Sequence, residues 1–226
     1  MARVLHLIDD TTPGGVVRVL DRLKALGHRV EPCRPSATAA PRRAAEIVVS
    51  HVVVSWRNLP WVLALRARNP GARLIHVEHS YSAAFYHTEV RAQRRFRALL
   101  TLAYGIFDRV VAVSGAQSAW LAHFAGSRLS VVPPCVALDA YLALPEPSGP
   151  IRRIGAIGRL HDQKGFDILI PAFLGANLPE VTLEIYGDGG ERARLEALAE
   201  GHPNVRFHGH CDPVAAMDSV DAVAMP

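Results

Sequence analysis

Short β-branched and aliphatic runs, apolar throughout, are each followed by an amphipathic stretch of helical length, and few folds can satisfy that alternation. Val4–Ile8 is expected as a strand and Gly14-Gly15 as a turn. Val16, Leu20 and Leu23 then recur at helical spacing until Gly27 ends the helix. A strand at Ile47–Val49 comes next, then a helix from about Pro60, whose ring suits a first helical turn. Beyond it lie a strand at Arg73–Val77 and a helix with the stripe Ala92, Phe96, Leu99 and Ala103. Val110–Val113 is a strand, Ser114-Gly-Ala-Gln117 reads as a capping box opening a helix to Gly126, and Leu129–Val132 is another strand. Strands without a polar face must be covered on both sides, which predicts a parallel sheet wrapped by helices.

Leu144-Pro-Glu-Pro-Ser-Gly-Pro150 fits neither a helix nor a central strand and is expected as a linker. The expectation is therefore α/β, with two Rossmann-like parallel-sheet domains over 1–147 and 148–226. In the second, strands at Arg153–Ile157, Val181–Tyr186, Val205–His208 and Ala222–Met225 alternate with helices from Gly165, over Glu191–Ala199, and from Pro213. The alternation stops on an apolar strand, so this domain is expected to be incomplete at Pro226.

Composition narrows the function classes. With 50% hydrophobic and 20% charged residues the chain is an ordinary globular protein, neither disordered nor fibrous. A net charge of +4, carried almost wholly by arginine, is too slight to argue nucleic acid. No stretch of about 20 apolar residues runs without charge or proline, so a spanning helix is not expected. The short apolar N-terminus meets Asp9-Asp10 at once, unlike a signal peptide. Three widely spaced cysteines, Cys33, Cys135 and Cys211, suit free thiols in a reducing cytoplasm. The expected address is cytoplasmic.

Two glycine-bearing turns sit between a strand and a helix, where backbone N–H groups and the positive helix end favour phosphate. Gly14-Gly15 is read as either a tight turn or such a contact. Gly158-Arg159-Leu-His-Asp-Gln-Lys164-Gly165 adds two cations, and Lys164 is one of only two lysines in the chain. An arginine fork and a lysine point charge together suit a diphosphate that gains charge as it leaves. The alternative is a solvated basic loop. Neither turn carries the G-x-G-x-x-G of dinucleotide binding, which argues against a dehydrogenase.

Ile157-Gly158-Arg159 with Lys164-Gly165, then Ile185-Tyr-Gly187-Asp188-Gly189, then Val205-Arg-Phe-His208-Gly209-His, resembles the donor-binding half of family 4 retaining glycosyltransferases of the GT-B fold. The first half is similar to their acceptor domain through Pro13-Gly14-Gly15-Val16, His79-Ser80 and Asp108-Arg-Val-Val-Ala-Val-Ser114. The resemblance implies transfer of a sugar from a nucleotide-diphosphate donor to a hydroxyl, with retention and without a metal or other cofactor. It implies a diphosphate-binding pair in Arg159 and Lys164 and a donor-facing glycine loop in Gly14 and Gly15. His79 becomes the candidate catalytic residue near the transferred sugar, and Gly187, Asp188, His208 and Gly209 the candidate nucleotide contacts. Departure of the diphosphate from an oxocarbenium-like sugar is the difficult moment, and fixed cations and helix dipoles would stabilise it.

The chain departs from that family's pattern too. Pro133-Pro134-Cys135-Val136-Ala137 stands where an asparagine, a glycine and an aspartate are usual. Pro171 falls inside an expected helix, where it would kink it. The family's ribose-binding glutamates lie beyond a strand equivalent to the last one here. Weak donor binding without turnover is thus one expectation. The competing functions are a truncated, non-catalytic nucleotide-binding or interaction protein, and a GT-B-fold epimerase, for which no acid and base carboxylate pair is identified. Arg91, Arg94, Arg95 and Arg97 decorate one helix, which suits either a solvated face or an anionic lipid surface bearing a lipid-linked or carbohydrate acceptor. His208 and His210 would share a strand face, but no metal site is expected. His51 is expected at a strand end, either as plain polar surface or lining the acceptor cleft.

Overall fold

The computed structural model describes residues 3–12, 14–36, 40, 45–134 and 138–225. It forms two compact units, 1–136 and 137–226.

The first unit runs β1 (Val4–Ile8), α1 (Gly15–Ala25), β2 (Arg29–Pro32), β3 (Ile47–Ser50), α2 (Leu59–Arg68), β4 (Arg73–Glu78), α3 (Ala83–Thr88), α4 (Gln93–Ile106), β5 (Arg109–Ala112), α5 (Gly115–Ala125) and β6 (Leu129–Val131). Its strands pair in parallel in the order β2-β1-β3-β4-β5-β6. The chain leaves β1 for one side and returns on the other, so the switch point lies between β1 and β3, where ligands of open parallel sheets collect beyond the strand ends. Trp61 and Leu65 of α2, Leu100 and Tyr104 of α4, Leu121 of α5, and Leu74 and Val110 of the sheet are fully buried together.

Two elements go beyond the expected alternation. β2 comes directly after Gly27 and His28 and is exposed at both ends and half-buried between, as an edge strand can be. α3 is a single short helix, capped by the Ser82 side chain accepting from the Phe85 N–H at 3.2 Å. The stripe of α4 is also shifted. Leu99, Leu100, Ala103 and Tyr104 are buried and Phe96 is half-buried, whereas Ala92 is exposed at the cap, before the helix begins.

The second unit contains α6 (Asp139–Leu142), β7 (Arg153–Ile157), α7 (Phe166–Gly175), β8 (Thr182–Tyr186), α8 (Arg192–Leu198), β9 (Val205–Gly209), α9 (Pro213–Asp218) and β10 (Ala222–Val223). Four parallel strands pair in the order β10-β7-β8-β9 over a core of Ala156, Leu160, Ile170, Leu183 and Ile185. α6 packs against α9, so the division falls before this helix rather than in the proline-rich segment after it. α7 continues through Pro171, with Ile170 and Phe173 buried on either side. β10 is shorter than the expected strand. Its start is held by Asp221, whose carboxylate accepts the N–H groups of Arg152 and Arg153 at 2.9 and 2.8 Å.

Candidate functional site

In the first unit, α1 begins on Gly14, whose backbone is fully extended at φ −177° and ψ −178°. No side chain caps the helix and its first turn holds no acidic residue. A Cβ on Gly15 would meet nothing within 4 Å, so the approach to the first turn is open. Open N–H groups at a helix start suit an anion. Pro13 lies outside the described residues.

His79 comes directly after β4, and the turn beneath it is built by a buried carboxylate. Glu78 Oε1 accepts from the N–H groups of Ser80 and Tyr81 at 2.7 and 3.1 Å. Glu78 Oε2 accepts from the Tyr104 hydroxyl at 2.7 Å and lies 3.2 Å from His76 Nε2. Burial would raise this carboxyl's pKa, but bonds from His76, Tyr104 and Ser80, with the His76 charge, hold it below the usual range. Strand alternation puts His76 and Glu78 on one side and leaves His79 to the other. Its ring nitrogen Nε2 lies 3.0 Å from Nδ1 of His51, with the two rings stacked. Burial lowers the His79 imidazole below its ordinary value; Glu78 opposes this and His76 adds to it.

The capping box at Ser114 reaches the same turn. Ser114 Oγ accepts from the Gln117 N–H at 3.2 Å, while Gln117 Oε1 accepts from Val113 N–H at 2.8 Å. Gln117 Nε2 then donates to the carbonyls of Glu78 and Tyr81. Glu78 and Gln117 are the positioning residues that motif reading missed; the only sequence signal was a buried-strand glutamate and the cap itself. Asp108, by contrast, works at the opposite strand ends, binding Arg66 Nη2 at 2.7 Å and accepting from Leu74 N–H at 2.7 Å.

In the second unit the basic turn is a single 3-10 turn, Asp162–Lys164, between β7 and α7. Arg159 and Lys164 are both exposed, and Gly165 joins the turn to α7 in the left-handed region at φ 65°. Leu160, between the two cations, is fully buried and anchors the loop. The loop after β8 holds it from below. Gly158 N–H donates to Tyr186 O at 2.9 Å, and Leu160 N–H to Asp188 O at 3.0 Å. A side chain on Gly187 or Gly189 would collide with the carbonyls of Gly158 and Leu160. Gly187, at φ 140°, also donates its N–H to Gly209 O at 2.7 Å, so the three strand-end loops are laced together. The chemistry this leaves is two outward cations beside a glycine-started helix.

His208 is engaged within the protein. Its Nε2 lies 2.5 Å from Glu184 Oε2, and its ring stacks on Tyr186 at 4.6 Å. A bulge places both His208 and Gly209 opposite Tyr186, and Gly209 turns away at φ 74°. His210 lies beyond the end of β9, so the expected shared face of His208 and His210 is not carried by a regular strand. Among the described residues, no group of three or more His, Cys, Asp or Glu is placed to hold a metal.

Arg91, Arg94, Arg95 and Arg97 are all exposed, and the Arg95 guanidinium lies 5.4 Å from the centre of the Trp56 ring. Among the described residues no helix is long and apolar enough to cross a membrane. Cys33 and Cys211 are free thiols, and burial, with Asp9, pushes Cys33 up to about 12. Cys135, and with it part of the segment 133–137, lies outside the described residues.

The sequence model of Glycosyltransferase Family 4 matches residues 51–140. Over 57 residues the chain is 46% identical to the UDP-N-acetylglucosamine–peptide N-acetylglucosaminyltransferase GtfA subunit of Streptococcus agalactiae. That match spans 23% of this chain and 11% of the relative, so the chain accounts for only a small part of it. Among solved structures, Anabaena Alr3699/HepE in complex with UDP and glucose matches all of this chain and 74% of its own, at 17% identity and a TM-score of 0.68. TarM matches 91% of this chain at 16% identity and a TM-score of 0.60, with 38% of its own chain covered. A glycosyltransferase from Rickettsia africae matches 97% at 15% identity and a TM-score of 0.62, with 71% of its own chain covered. The chain thus carries the Glycosyltransferase Family 4 pattern over residues 51–140, on a two-unit parallel-sheet fold of the GT-B glycosyltransferase type.

Proposed function

We propose that this chain is the nucleotide-sugar-handling part of a glycosyltransferase that moves a sugar from a nucleotide-diphosphate donor to a hydroxyl with retention, without a metal or other cofactor. The observation that carries this reading is the β7–α7 turn, where Arg159 and Lys164 stand exposed beside a glycine-started helix on a loop locked by Gly187 and Gly189. Held cations stabilise a leaving diphosphate without reorganising at the moment of bond breaking. The open start of α1 at Gly14 and Gly15 is the proposed phosphate contact of the first unit, and His79 the proposed group at the transferred sugar. Asp188 and Gly209 are the proposed nucleotide contacts. His208 reaches the nucleotide in this reading only with its exposed ring edge, since Glu184 holds its Nε2.

UDP is the proposed nucleotide, because HepE is described in complex with UDP and with UDP-glucose. The acceptor class proposed is a carbohydrate or a lipid-linked hydroxyl, with Arg91, Arg94, Arg95 and Arg97 against the inner face of a membrane and the protein in the cytoplasm. Nucleic acid is not among the proposed partners.

Calorimetric titration of UDP, GDP and ADP into the chain tests the reading, with Arg159→Ala/Lys164→Ala as the comparison. One nucleotide should bind, and the double variant should bind it at least about tenfold more weakly, since each charge-assisted bond is worth about 1.5–3 kcal/mol. Undiminished binding by the double variant places the site elsewhere. No binding of any of the three removes the donor-binding role.

A further inference from the structure

His79 ends a row of four imidazoles. Nε2 of His79 lies 3.0 Å from Nδ1 of His51, Nε2 of His51 lies 3.0 Å from Nδ1 of His6, and Nε2 of His6 lies 3.3 Å from Nδ1 of His28. Successive ring centres are 5.3, 5.3 and 5.4 Å apart. Sheet register explains the row. The parallel pairings Leu5↔Arg29, Leu7↔Ser50 and Ser50↔His76 place each histidine two residues further along than the partner of its neighbour. Such diagonal neighbours share a face, so the row slants from the start of β2 across β1 and β3 to the end of β4. His28 is set there by the end of α1, where its N–H donates to Leu23 O at 2.9 Å and Gly27 N–H to Lys24 O at 2.9 Å.

A neutral imidazole has one donor nitrogen and one acceptor nitrogen. Because every contact joins an Nε2 to an Nδ1, the row satisfies itself in two ways only: all rings protonated on Nε2, or all on Nδ1. In the first state the outer Nδ1 of His79 is an acceptor, and in the second it is a donor. A His28 that carries both protons must donate from Nδ1, which forces the second state on every ring.

We propose that His28, His6 and His51 are positioning residues for His79: the row sets which nitrogen of His79 holds its proton, and links that choice to the protonation of His28 at the protein surface. Shifting from the first state to the second moves one proton across each of the three N–H···N contacts toward His28, which thereby carries both protons, and takes one from solvent at the outer Nδ1 of His79; on return the protons move back and His79 releases that one. No ring inside the row gains net charge. Burial and the neighbouring histidines keep it so, holding His6 down to about 4 and His51 to about 2. The other titratable groups acting on the row are His76 and Glu78 of β4. On the elements that bear it, Arg29 pairs with Glu31, Lys24 with Asp21, and Asp9 accepts from Val53 N–H. The use of this polarity at a sugar rests on the function proposed above; the proton coupling itself does not.

The test is 15N NMR of histidine-labelled protein, which separates protonated from unprotonated ring nitrogens, monitored as pH is lowered from 8. The expected result is one shared tautomer for His6, His51 and His79 at pH 8, and a joint change to Nδ1–H as His28 takes up its proton. In His28→Phe, or in His28→Gln should the first fail to fold, the joint change should be lost while the three rings remain neutral. Mixed tautomers within the wild-type row overturn the proposal, as does a joint change that survives replacement of His28. Either result is independent of nucleotide binding, so failure here and failure of the donor-binding reading are separable.

Discussion

The carbonyl oxygen of Gly158 occupies the space where a side chain on Gly187 would begin. The same holds for Leu160 and Gly189, so the loop carrying Arg159 lies directly on the loop after β8.

Gly187→Ala is therefore expected to destabilise the protein by at least about 2 kcal/mol, because backbone must move and φ 140° suits only glycine. Gly190→Ala, where a Cβ meets nothing within 4 Å, should stay within about 0.5 kcal/mol. Denaturant unfolding of the two variants compares them, and equal midpoints would refute the close approach.

Glu78 is 1% exposed and holds four hydrogen-bonding groups. Glu78→Gln turns an amide NH2 toward groups that donate, at an expected cost of about 3 kcal/mol, whereas Tyr104→Phe removes a single bond and should cost about 1–2 kcal/mol. The folded carboxyl lies below its ordinary value of 4.5, so its stabilisation is present above that value and is lost as pH falls below it. Chemical unfolding from pH 6 to pH 3 should show this acid loss in the wild type and a smaller one in Glu78→Gln.

His6 and His51 give a second acid dependence with its own window. Both are depressed below 6.5, His6 to about 4 and His51 to about 2, so below 6.5 the unfolded chain binds protons that the folded rings refuse. Stability should fall as pH drops from 6.5 toward 4, each ring contributing a slope of about 1.4 kcal/mol per pH unit. His51→Phe should flatten that slope by one ring's share. An unchanged slope in unfolding measurements at pH 6, 5 and 4 would show that these rings titrate normally.

The arginines at and just before the start of α4 make a lipid prediction. Replacing Arg91, Arg94, Arg95 and Arg97 by Gln should weaken binding to vesicles containing anionic lipid by up to about 1 kcal/mol per arginine, and leave binding to neutral vesicles unchanged. Co-sedimentation at two salt concentrations measures it. Identical partitioning of variant and wild type ends the membrane reading.

Much of the fold was legible because it rests on local periodicity. Val4–Ile8 and Arg153–Ile157 are strands with the expected bounds, Ser114 opens α5 and Gly27 closes α1 as capping chemistry requires, and Pro60 sits in the first turn of α2. β2 escaped because an edge strand needs no apolar face, and the stripe of α4 slid because which turn of a helix is buried depends on its neighbours. The bulge at His208 escaped for a related reason: one inserted residue in β9 is a matter of register with β8, not of local sequence.

Local sequence was enough to set the order of strands and helices, the two glycine-started turns, and the placement of Arg159 and Lys164 beside one of them, because turns, caps and hydrophobic period act over a few residues. What His79 touches was left to the tertiary structure. Its row joins histidines separated along the chain by 28, 45 and 22 residues, and they meet because β2, β1, β3 and β4 lie side by side in one register. Hydrogen bonds between side chains depend on distances of tenths of an ångström, and those are set by how strands pair across the sheet.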